Sequence, residues 1–348
     1  MSDFSDIIDQ EQMKEHMQYA LRTGKISHAY IISGESGSGK EMVARCFAKA
    51  LQCDNKREKG GLLEACNECT SCKKALTDNH PDIITITHEK PTSIGVDDIR
   101  QKLRDDVIIK PYESSHKIYI IPEGEKMTVA AQNALLKTLE EPPEYIVIII
   151  LTSNINQFLP TIISRCIVLP MKPVKDDSIK KYLMEECHVV DYKAMLCASF
   201  ARGNVGKALE LASNERFEKL KNETIDIVSK VKNLELQDMM ERIHSILEAP
   251  PDTSDADKKA VEKRQYEDFM DVLLYLFRDV LVYKATGNDN HLIFTDKVSY
   301  ISSVTEKCSY LQVGDIIDKM EIAKKRINSN VNMDLTLELM FMGIKENL

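Results

Sequence analysis

The chain has 348 residues, which is long enough for two or three domains. Of these residues 43% are hydrophobic and 29% charged, a composition typical of a soluble globular protein. Its net charge of −9 argues against a protein whose main activity is to bind nucleic acid by itself. The apolar run Tyr145 to Leu151 is too short to cross a membrane, and the N-terminal sequence MSDFSDIIDQ lacks the charge pattern of a signal peptide. We therefore expect a cytoplasmic protein that does not contact a membrane.

The first motif in chain order is a glycine-rich loop between a short apolar strand, Ala29 to Ser33, and a segment with helical spacing. Gly34, Gly39 and Lys40 fit the pattern G-x-x-x-x-G-K, and Gly37 lies inside it. In such loops backbone N–H groups at a helix N-terminus face the phosphates of a nucleotide, and the lysine reaches the outer phosphates. The motif predicts a phosphate-binding loop, although the loop alone does not show whether nucleotide is hydrolysed.

Four cysteines follow the loop helix, at Cys53, Cys66, Cys69 and Cys72. Their spacing is C-x12-C-x2-C-x2-C, which gives two overlapping C-x2-C knuckles and a fourth thiol. Disulfides are not expected without an export signal, so clustered cysteines indicate a metal site first. Four thiolates leave no open coordination position, so we predict a structural Zn²⁺ site within about residues 53–72. His80 is a rival ligand, although His80-Pro81-Asp82 is more typical of a turn.

Apolar strands alternate with helices up to about Pro173, which predicts an α/β core with a parallel sheet covered on both faces by helices. In such sheets ligands lie at the carboxyl ends of the strands, where the glycine loop, Glu123 and Asn154 all fall. Beyond this point the strand signals disappear and helices follow one another. The predicted helices include residues 7–22, 96–104, 128–141, 215–232, 236–247, 261–283, 313–327 and 333–348, with a loop at 249–257.

Together these motifs resemble the clamp-loader AAA+ family of bacterial replication over almost the whole chain. The resemblance rests on the order of the glycine loop, the four cysteines, the helix NALLKTLEEPP from Asn133 to Pro143, and the motif Ser164-Arg165-Cys166. The segment Asn330-Val331-Asn332 adds weaker support. Within the family, the chain is most similar to the subunit that does not hydrolyse ATP.

The resemblance implies an AAA+ core with a zinc module at 1–172, a small helical lid at 173–213 and a helical collar for oligomerisation at 214–348. In this family, five such chains form an open ring that loads the sliding clamp onto primed DNA for the polymerase. The implied partners are gamma/tau and delta subunits, the clamp and DNA. Arg165 matches the arginine that such a subunit lends to the ATP site of its gamma/tau neighbour. An ordinary surface salt bridge is the alternative role for this arginine.

Two groups that an ATPase of this family needs for its magnesium ion are replaced in this sequence. Glu41 stands where the loop normally carries the Ser or Thr that binds magnesium, and Pro122 stands where an aspartate is expected. Glu123 matches the position of the glutamate that activates water, but without positioned magnesium it has little to act on. This part of the sequence therefore argues against hydrolysis.

The sensor residues are also altered. The arginine expected in the G-x-x-R motif of the lid is replaced by Gly206, with Lys207 displaced by one residue. Thr152 and Asn154 are candidates for a first sensor or simply for caps of the turn. We expect no hydrolysis and at most weak binding of ATP at Gly34, Gly37, Gly39 and Lys40. An active gamma/tau-type ATPase and an independent nucleic-acid-binding zinc module are the alternatives.

Overall fold

The computed structural model describes residues 3–87, 92–250, 253–329 and 331–348. Five of its strands form one parallel sheet in the order β4-β5-β6-β1-β7, and β2 and β3 form a separate antiparallel hairpin. The strands are β1 (Ala29–Ser33), β2 (Arg57–Lys59), β3 (Leu62–Glu64), β4 (Ile83–Thr85), β5 (Lys117–Ile121), β6 (Ile146–Thr152) and β7 (Ile167–Pro170). The predicted parallel α/β core is confirmed.

Every residue of the central strands β5 and β6 is buried, because helices cover both faces of the sheet. The helices of this region are α1 (Glu11–Thr23), α2 (Lys40–Gln52), α3 (Thr70–Leu76), α4 (Val96–Ile99), α5 (Val129–Glu140) and α6 (Pro160–Ile163). β1 pairs with β6 so that Ser33 lies opposite Thr152. The glycine loop and the turn after β6 consequently start side by side at one edge of the sheet.

In this region one prediction was wrong, one element was not predicted, and one predicted helix is divided. The first α-helix begins at Glu11 rather than Ile7, because Asp9 and Gln10 adopt left-handed conformations that interrupt it. The hairpin β2–β3 was not predicted, since its strands have only three residues each. The helix predicted over 96–104 divides into α4 and a π-helical turn at Arg100–Arg104.

The chain divides into two compact units, one of residues 1–182 with 201–208 and one of residues 183–200 with 209–348. The helices after β7 are α7 (Asp176–Glu185), α8 (Asp191–Ala201), α9 (Val205–Ser213), α10 (Glu215–Ser229), α11 (Leu236–Leu247), α12 (Asp255–Thr286), α13 (Val298–Lys307), α14 (Tyr310–Asn328) and α15 (Met333–Asn347). In the second unit Phe200 packs edge-on against Phe217 and Phe294. The division into core, lid and collar stays a prediction.

After β7 the described part of the chain contains helices and turns and no further strand, as the sequence predicted. The loop predicted at 249–257 ends earlier than predicted, because α12 begins at Asp255. α13 was not predicted. Asn330 of the Asn330–Asn332 segment lies outside the described residues. None of the described helices is long and apolar enough to cross a membrane.

Candidate functional site

The glycine loop joins the carboxyl end of β1 to the first residue of α2. Its first N–H, at Gly34, donates to the carbonyl of Thr152 at 3.0 Å, which ties the loop to the end of β6. Gly37 and Gly39 have φ angles of +79° and +92°, a region that residues with a side chain rarely adopt. The loop therefore has the left-handed turns of a phosphate-binding loop, and Lys40 opens the helix as predicted.

Lys40 points back onto its own loop. Its Nζ donates to the carbonyl oxygens of Gly34 at 2.5 Å and Glu35 at 2.6 Å. Burial lowers the pKa of Lys40 below its usual value, although the carboxylates of Glu125 and Glu35 act in the opposite direction. The ammonium group thus already has backbone partners in the position from which it would otherwise reach a phosphate.

The cavity beside the loop has a volume of about 450 Å³ and an acidic lining. Glu41, Glu123 and Glu125 all line it, together with Lys40. Hydrogen bonds from Ser153 hold the Glu125 carboxylate, and they keep its pKa below the usual value although burial alone would raise it. Carboxylates repel a polyphosphate unless a cation lies between them, so this lining opposes nucleotide binding.

The loop is also covered by the start of α9, which belongs to the same compact unit. Asn204 donates from Nδ2 to the carbonyl of Ser36 at 2.7 Å, and the N–H of Gly206 donates to the carbonyl of Gly37 at 2.9 Å. A Cβ at Gly206 would lie 2.6 Å from that carbonyl oxygen. Gly206 replaces the sensor arginine in the sequence, and its position in the structure has no room for any side chain.

Gly206→Ala is expected to lower the free energy of unfolding by about 1–3 kcal/mol, because the added methyl group overlaps the backbone of Gly37. The measurement is urea unfolding of the full chain. Gly314→Ala is the matched control, since Gly314 also lies within a helix and nothing is within 4 Å of a Cβ added there. It should be neutral or stabilising by about 0.5–1 kcal/mol. Equal effects of the two substitutions would contradict the close approach of α9 to the loop.

The other residues expected near the nucleotide serve local structure. Thr152 accepts the N–H of Asn154 at 3.1 Å, and Asn154 accepts the N–H of Asn156 at 3.0 Å, so both cap the turn after β6. Glu123 has a φ angle of +51°, and its carboxylate pairs with Lys126 at 2.7 Å. All three still lie at the carboxyl edge of the sheet, as predicted from the strand pattern.

Arg165 follows α6 at the start of the segment that leads into β7. Its Nη2 lies 3.0 Å from the Glu140 carboxylate at the end of α5, and its Nη1 donates to the carbonyl of Thr161 at 3.0 Å. The side chains of Arg165 and Glu140 are 35% and 50% exposed. The guanidinium group is therefore held by a salt bridge and a hydrogen bond within its own chain, and it remains accessible to solvent.

The four predicted cysteines form one cluster in which all sulfur atoms lie within 4.8 Å of one another. Cys66 and Cys72 have sulfurs 3.9 Å apart, which agrees with the roughly 3.8 Å between ligands of a tetrahedral zinc–thiolate centre. The N–H of Cys69 points at the sulfur of Cys66 at 3.3 Å, as in a knuckle that presents thiolates to a metal. This cluster can hold a metal ion, and its donor set fits zinc.

His80 takes no part in the cluster. Its Nε2 lies 3.0 Å from the hydroxyl of Ser71, and its Nδ1 accepts the N–H of Asp82 at 3.1 Å. Burial lowers the pKa of His80, although the nearby carboxylate of Asp82 acts in the opposite direction. The interpretation of His80 as part of a turn before β4 is confirmed.

Sequence reasoning missed the residues that act across long separations. Asn204 forms a hydrogen bond with a loop residue 168 positions away in the sequence, and Gln10 forms one with a residue after β7 that is 162 positions away. Glu125 was overlooked because it lies two residues beyond the glutamate that the motif singles out. None of these residues has a local pattern that would distinguish it from a polar residue at the surface.

Two family models match the chain. One described as "DNA polymerase III, delta subunit" matches residues 9–175, and one described as "DNA polymerase III, delta subunit, C terminal" matches residues 258–345. The DNA polymerase III subunit delta' of Bacillus subtilis strain 168 is 30% identical over 340 residues, covering 97% of this chain and 96% of that protein. The chain belongs to the delta-prime family of DNA polymerase III subunits. The resemblance predicted from the motifs is confirmed.

Other relatives of this delta-prime family member are named as tau or gamma subunits of DNA polymerase III. The tau subunit of Bacillus subtilis strain 168 is 34% identical over 336 residues, which cover 92% of this chain and 57% of tau. Among solved structures, a gamma subunit-related protein of Thermotoga maritima is 20% identical, with a TM-score of 0.42 and coverage of 95% of this chain and 99% of that one. Family membership does not by itself decide whether this chain hydrolyses ATP.

Proposed function

We propose that this chain is a non-hydrolysing subunit of a bacterial clamp loader, which supplies Arg165 to the ATP site of a neighbouring gamma/tau subunit. The observation that carries the first part is the contact between Gly206 and Gly37, which leaves no room for a sensor side chain where the start of α9 meets the glycine loop. A phosphate group that bound Lys40 would also have to displace the two hydrogen bonds of this lysine. The loop then serves as a scaffold between β1 and α2.

The chemistry around the loop supports the same proposal. Hydrolysis needs a magnesium ion that bridges the outer phosphates and a polarised water molecule. Glu41 replaces the magnesium hydroxyl, and its carboxylate is already held by Arg45 at 2.8 Å. Pro122 offers no oxygen ligand from its side chain. The residues present therefore do not form a complete site for magnesium-ATP, and we derive no hydrolytic step through this loop.

Arg165 would act on a nucleotide bound by another chain. A guanidinium group next to a γ-phosphate stabilises the negative charge that develops in the transition state. Its present partner Glu140 is half exposed, and such surface ion pairs contribute only about 0–1 kcal/mol. A phosphate group can therefore replace Glu140 at low cost. We assign this role to Arg165 in preference to a purely structural salt bridge.

We propose further that residues 1–172, 173–213 and 214–348 act as core, lid and collar, with gamma/tau and delta subunits as partners in the cytoplasm. The last helix supports a collar role, because Leu335, Leu339 and Met342 form an exposed stripe on α15 while Leu337 and Phe341 are buried. The assembled ring would load the sliding clamp onto primed DNA. The four-cysteine module would bind one structural Zn²⁺ ion.

An active gamma/tau-type ATPase is the alternative function. It is favoured by the intact Gly34, Gly39 and Lys40 and by the similarity to tau. Purified chain with magnesium-ATP is expected to show no turnover above background, and Lys40→Ala is expected to change neither this result nor the ATPase rate of a reconstituted loader. Lys40 is the residue to substitute because nucleotide hydrolysis at an active loop depends on this lysine. Turnover by the isolated chain that disappears in Lys40→Ala would overturn the proposal.

A further inference from the structure

The segment from Asp3 to Gln10, here called the N-terminal strap, contacts two separate parts of the first compact unit. One end lies against the four-cysteine module and the other against the linker that follows β7, residues 172–178. These contacts involve neither the glycine loop nor Arg165. The contacts of the strap are made mostly by buried or half-buried polar groups, which need their partners because they are removed from water.

The module end of the strap is held by Glu64 and Asn67. Glu64, at the end of β3, is 3% exposed, and its carboxylate accepts the N–H groups of Phe4 at 2.9 Å and Ser5 at 2.8 Å. Asn67, which lies between the cysteines, donates to the carboxylate of Asp3 at 2.9 Å. The positions of the Glu64 carboxylate and the Asn67 amide depend on the fold of the hairpin and of the cysteine knuckle. The module therefore provides a fixed anchor for the first turn of the strap.

A buried lysine completes this anchor. Lys49 of α2 donates to Asp3 at 2.8 Å and to the side-chain oxygen of Asn67 at 2.7 Å. The Lys49–Asp3 pair is only 6% and 15% exposed. Phe4 is 1% exposed and packs in the core cluster that includes residues of α2. Charge pairing and apolar burial thus fix the same short stretch of chain.

The linker end of the strap has an unusual backbone. Asp9 and Gln10 are consecutive residues with φ angles of +53° and +61°. Residues other than glycine adopt this conformation uncommonly, and it persists where surrounding contacts determine it. Here the contacts are specific. Gln10 is 6% exposed and forms two hydrogen bonds with the backbone of Lys172, accepting its N–H at 2.9 Å and donating to its carbonyl at 2.6 Å.

Asp9 extends this contact along the linker. Its carboxylate accepts the N–H of Lys175 at 3.1 Å and the hydroxyl of Ser178 at 3.2 Å. Ser178 lies in the first turn of α7, where the linker at 172–178 ends, so the strap also holds the start of this helix. Asp9 and Gln10 make all of these contacts in the left-handed conformation.

We propose that the four-cysteine module positions the linker at 172–178 through the N-terminal strap, with Glu64 as the anchor and Asp9 and Gln10 as positioning residues. The module thus has a mechanical role within the chain. It keeps the segment after β7 ordered when no ligand is bound at the loop. This proposal does not depend on the role of Arg165 or on the absence of ATP hydrolysis.

The test is hydrogen exchange of the full chain, because the amides of Lys172 and Lys175 donate directly to the strap. Glu64→Gln keeps the shape of the side chain but places an NH₂ group against one of the two N–H donors. We expect exchange at Lys172 and Lys175 to become about tenfold faster, with the metal content measured and unchanged. Gln10→Ala should accelerate exchange at Lys172 by at least as much.

Gln12→Ala is the matched control, since Gln12 accepts a hydrogen bond from the side-chain amine of Lys172 and not from the backbone N–H of Lys172. It should leave both amides protected. The amide of Val174, which donates to Gly203 instead of the strap, serves as an internal reference. In the Gln10→Ala background, Glu64→Gln should cause no further change at Lys172. Unchanged exchange at both amides in Glu64→Gln, with faster exchange confined to residues 3–8, would overturn the proposal.

Discussion

Arg165→Ala is expected to abolish ATP turnover at the site next to this chain in a clamp loader reconstituted with gamma/tau and delta subunits. An arginine that stabilises the γ-phosphate in trans accounts for a factor of about 10³–10⁵ in rate, so its loss leaves that site effectively silent. ATP sites that lie between two gamma/tau subunits would still hydrolyse ATP. The measurement is clamp- and DNA-stimulated phosphate release, together with the amount of clamp loaded onto primed DNA.

Two matched variants separate the catalytic role of Arg165 from a structural salt bridge. Arg22 pairs with Glu58 at 3.0 Å, the same distance as Arg165 and Glu140, and is similarly exposed, so Arg22→Ala should leave turnover unchanged. Glu140→Gln removes the charge that Arg165 pairs with but keeps the arginine. If Glu140→Gln lowered turnover as strongly as Arg165→Ala, the salt bridge itself would be the important feature and the role in trans would be rejected.

Loss of the metal from the four-cysteine module is expected to have the largest effect on stability. Freshly purified, reduced protein should contain one zinc ion per chain, and Cys72→Ser should abolish it, because serine is a poor ligand for zinc at neutral pH. We expect the free energy of unfolding to fall by on the order of 4–5 kcal/mol. Cys72 is completely buried beside Ser71, whose hydroxyl donates to the carbonyl of Gln52 in α2, so the damage would reach the core.

The control for the zinc prediction is another cysteine. Cys187 is exposed and lies outside the cluster, so Cys187→Ser should retain the zinc and the stability of the unmodified chain. Metal analysis and urea unfolding of the same preparations provide both readouts. A reduced preparation without bound zinc that is as stable as one saturated with zinc would contradict the assignment.

The parts of this protein that are encoded locally could be predicted well. β5 and β6 are apolar except for Lys117, Tyr119 and Thr152, because both faces of a parallel sheet are covered, so the burial of their apolar residues follows from composition. α11 was predicted at its observed bounds, Leu236–Leu247, because its hydrophobic spacing is regular. The cysteine cluster was also predictable, since three of its ligands lie within seven residues and a tetrahedral site needs little else.

Predictions failed where distant contacts override local preference. The start of α1 shifted to Glu11 because Gln10 turns back to bind Lys172, and this partner is 162 positions away. The hairpin β2–β3 was not predicted because its strands have only three residues each, and the single buried residue among them, Glu64, is charged, so no alternating apolar pattern is visible. The length of α12 was underestimated because its first turns are polar and resemble the loop before them.

The sequence by itself determined the family, the parallel sheet, the glycine loop and the cysteine cluster, because each depends on residue types at short spacing. It also showed which groups of a magnesium-ATP site are missing at Glu41 and Pro122. Only the tertiary structure decided that Gly206 lies against Gly37, that Lys40 binds its own loop, and that the strap joins the module to the linker. The first and the last of these contacts arise because distant segments pack together, and the contact of Lys40 depends on the folded shape of its loop, so no local pattern encodes any of the three.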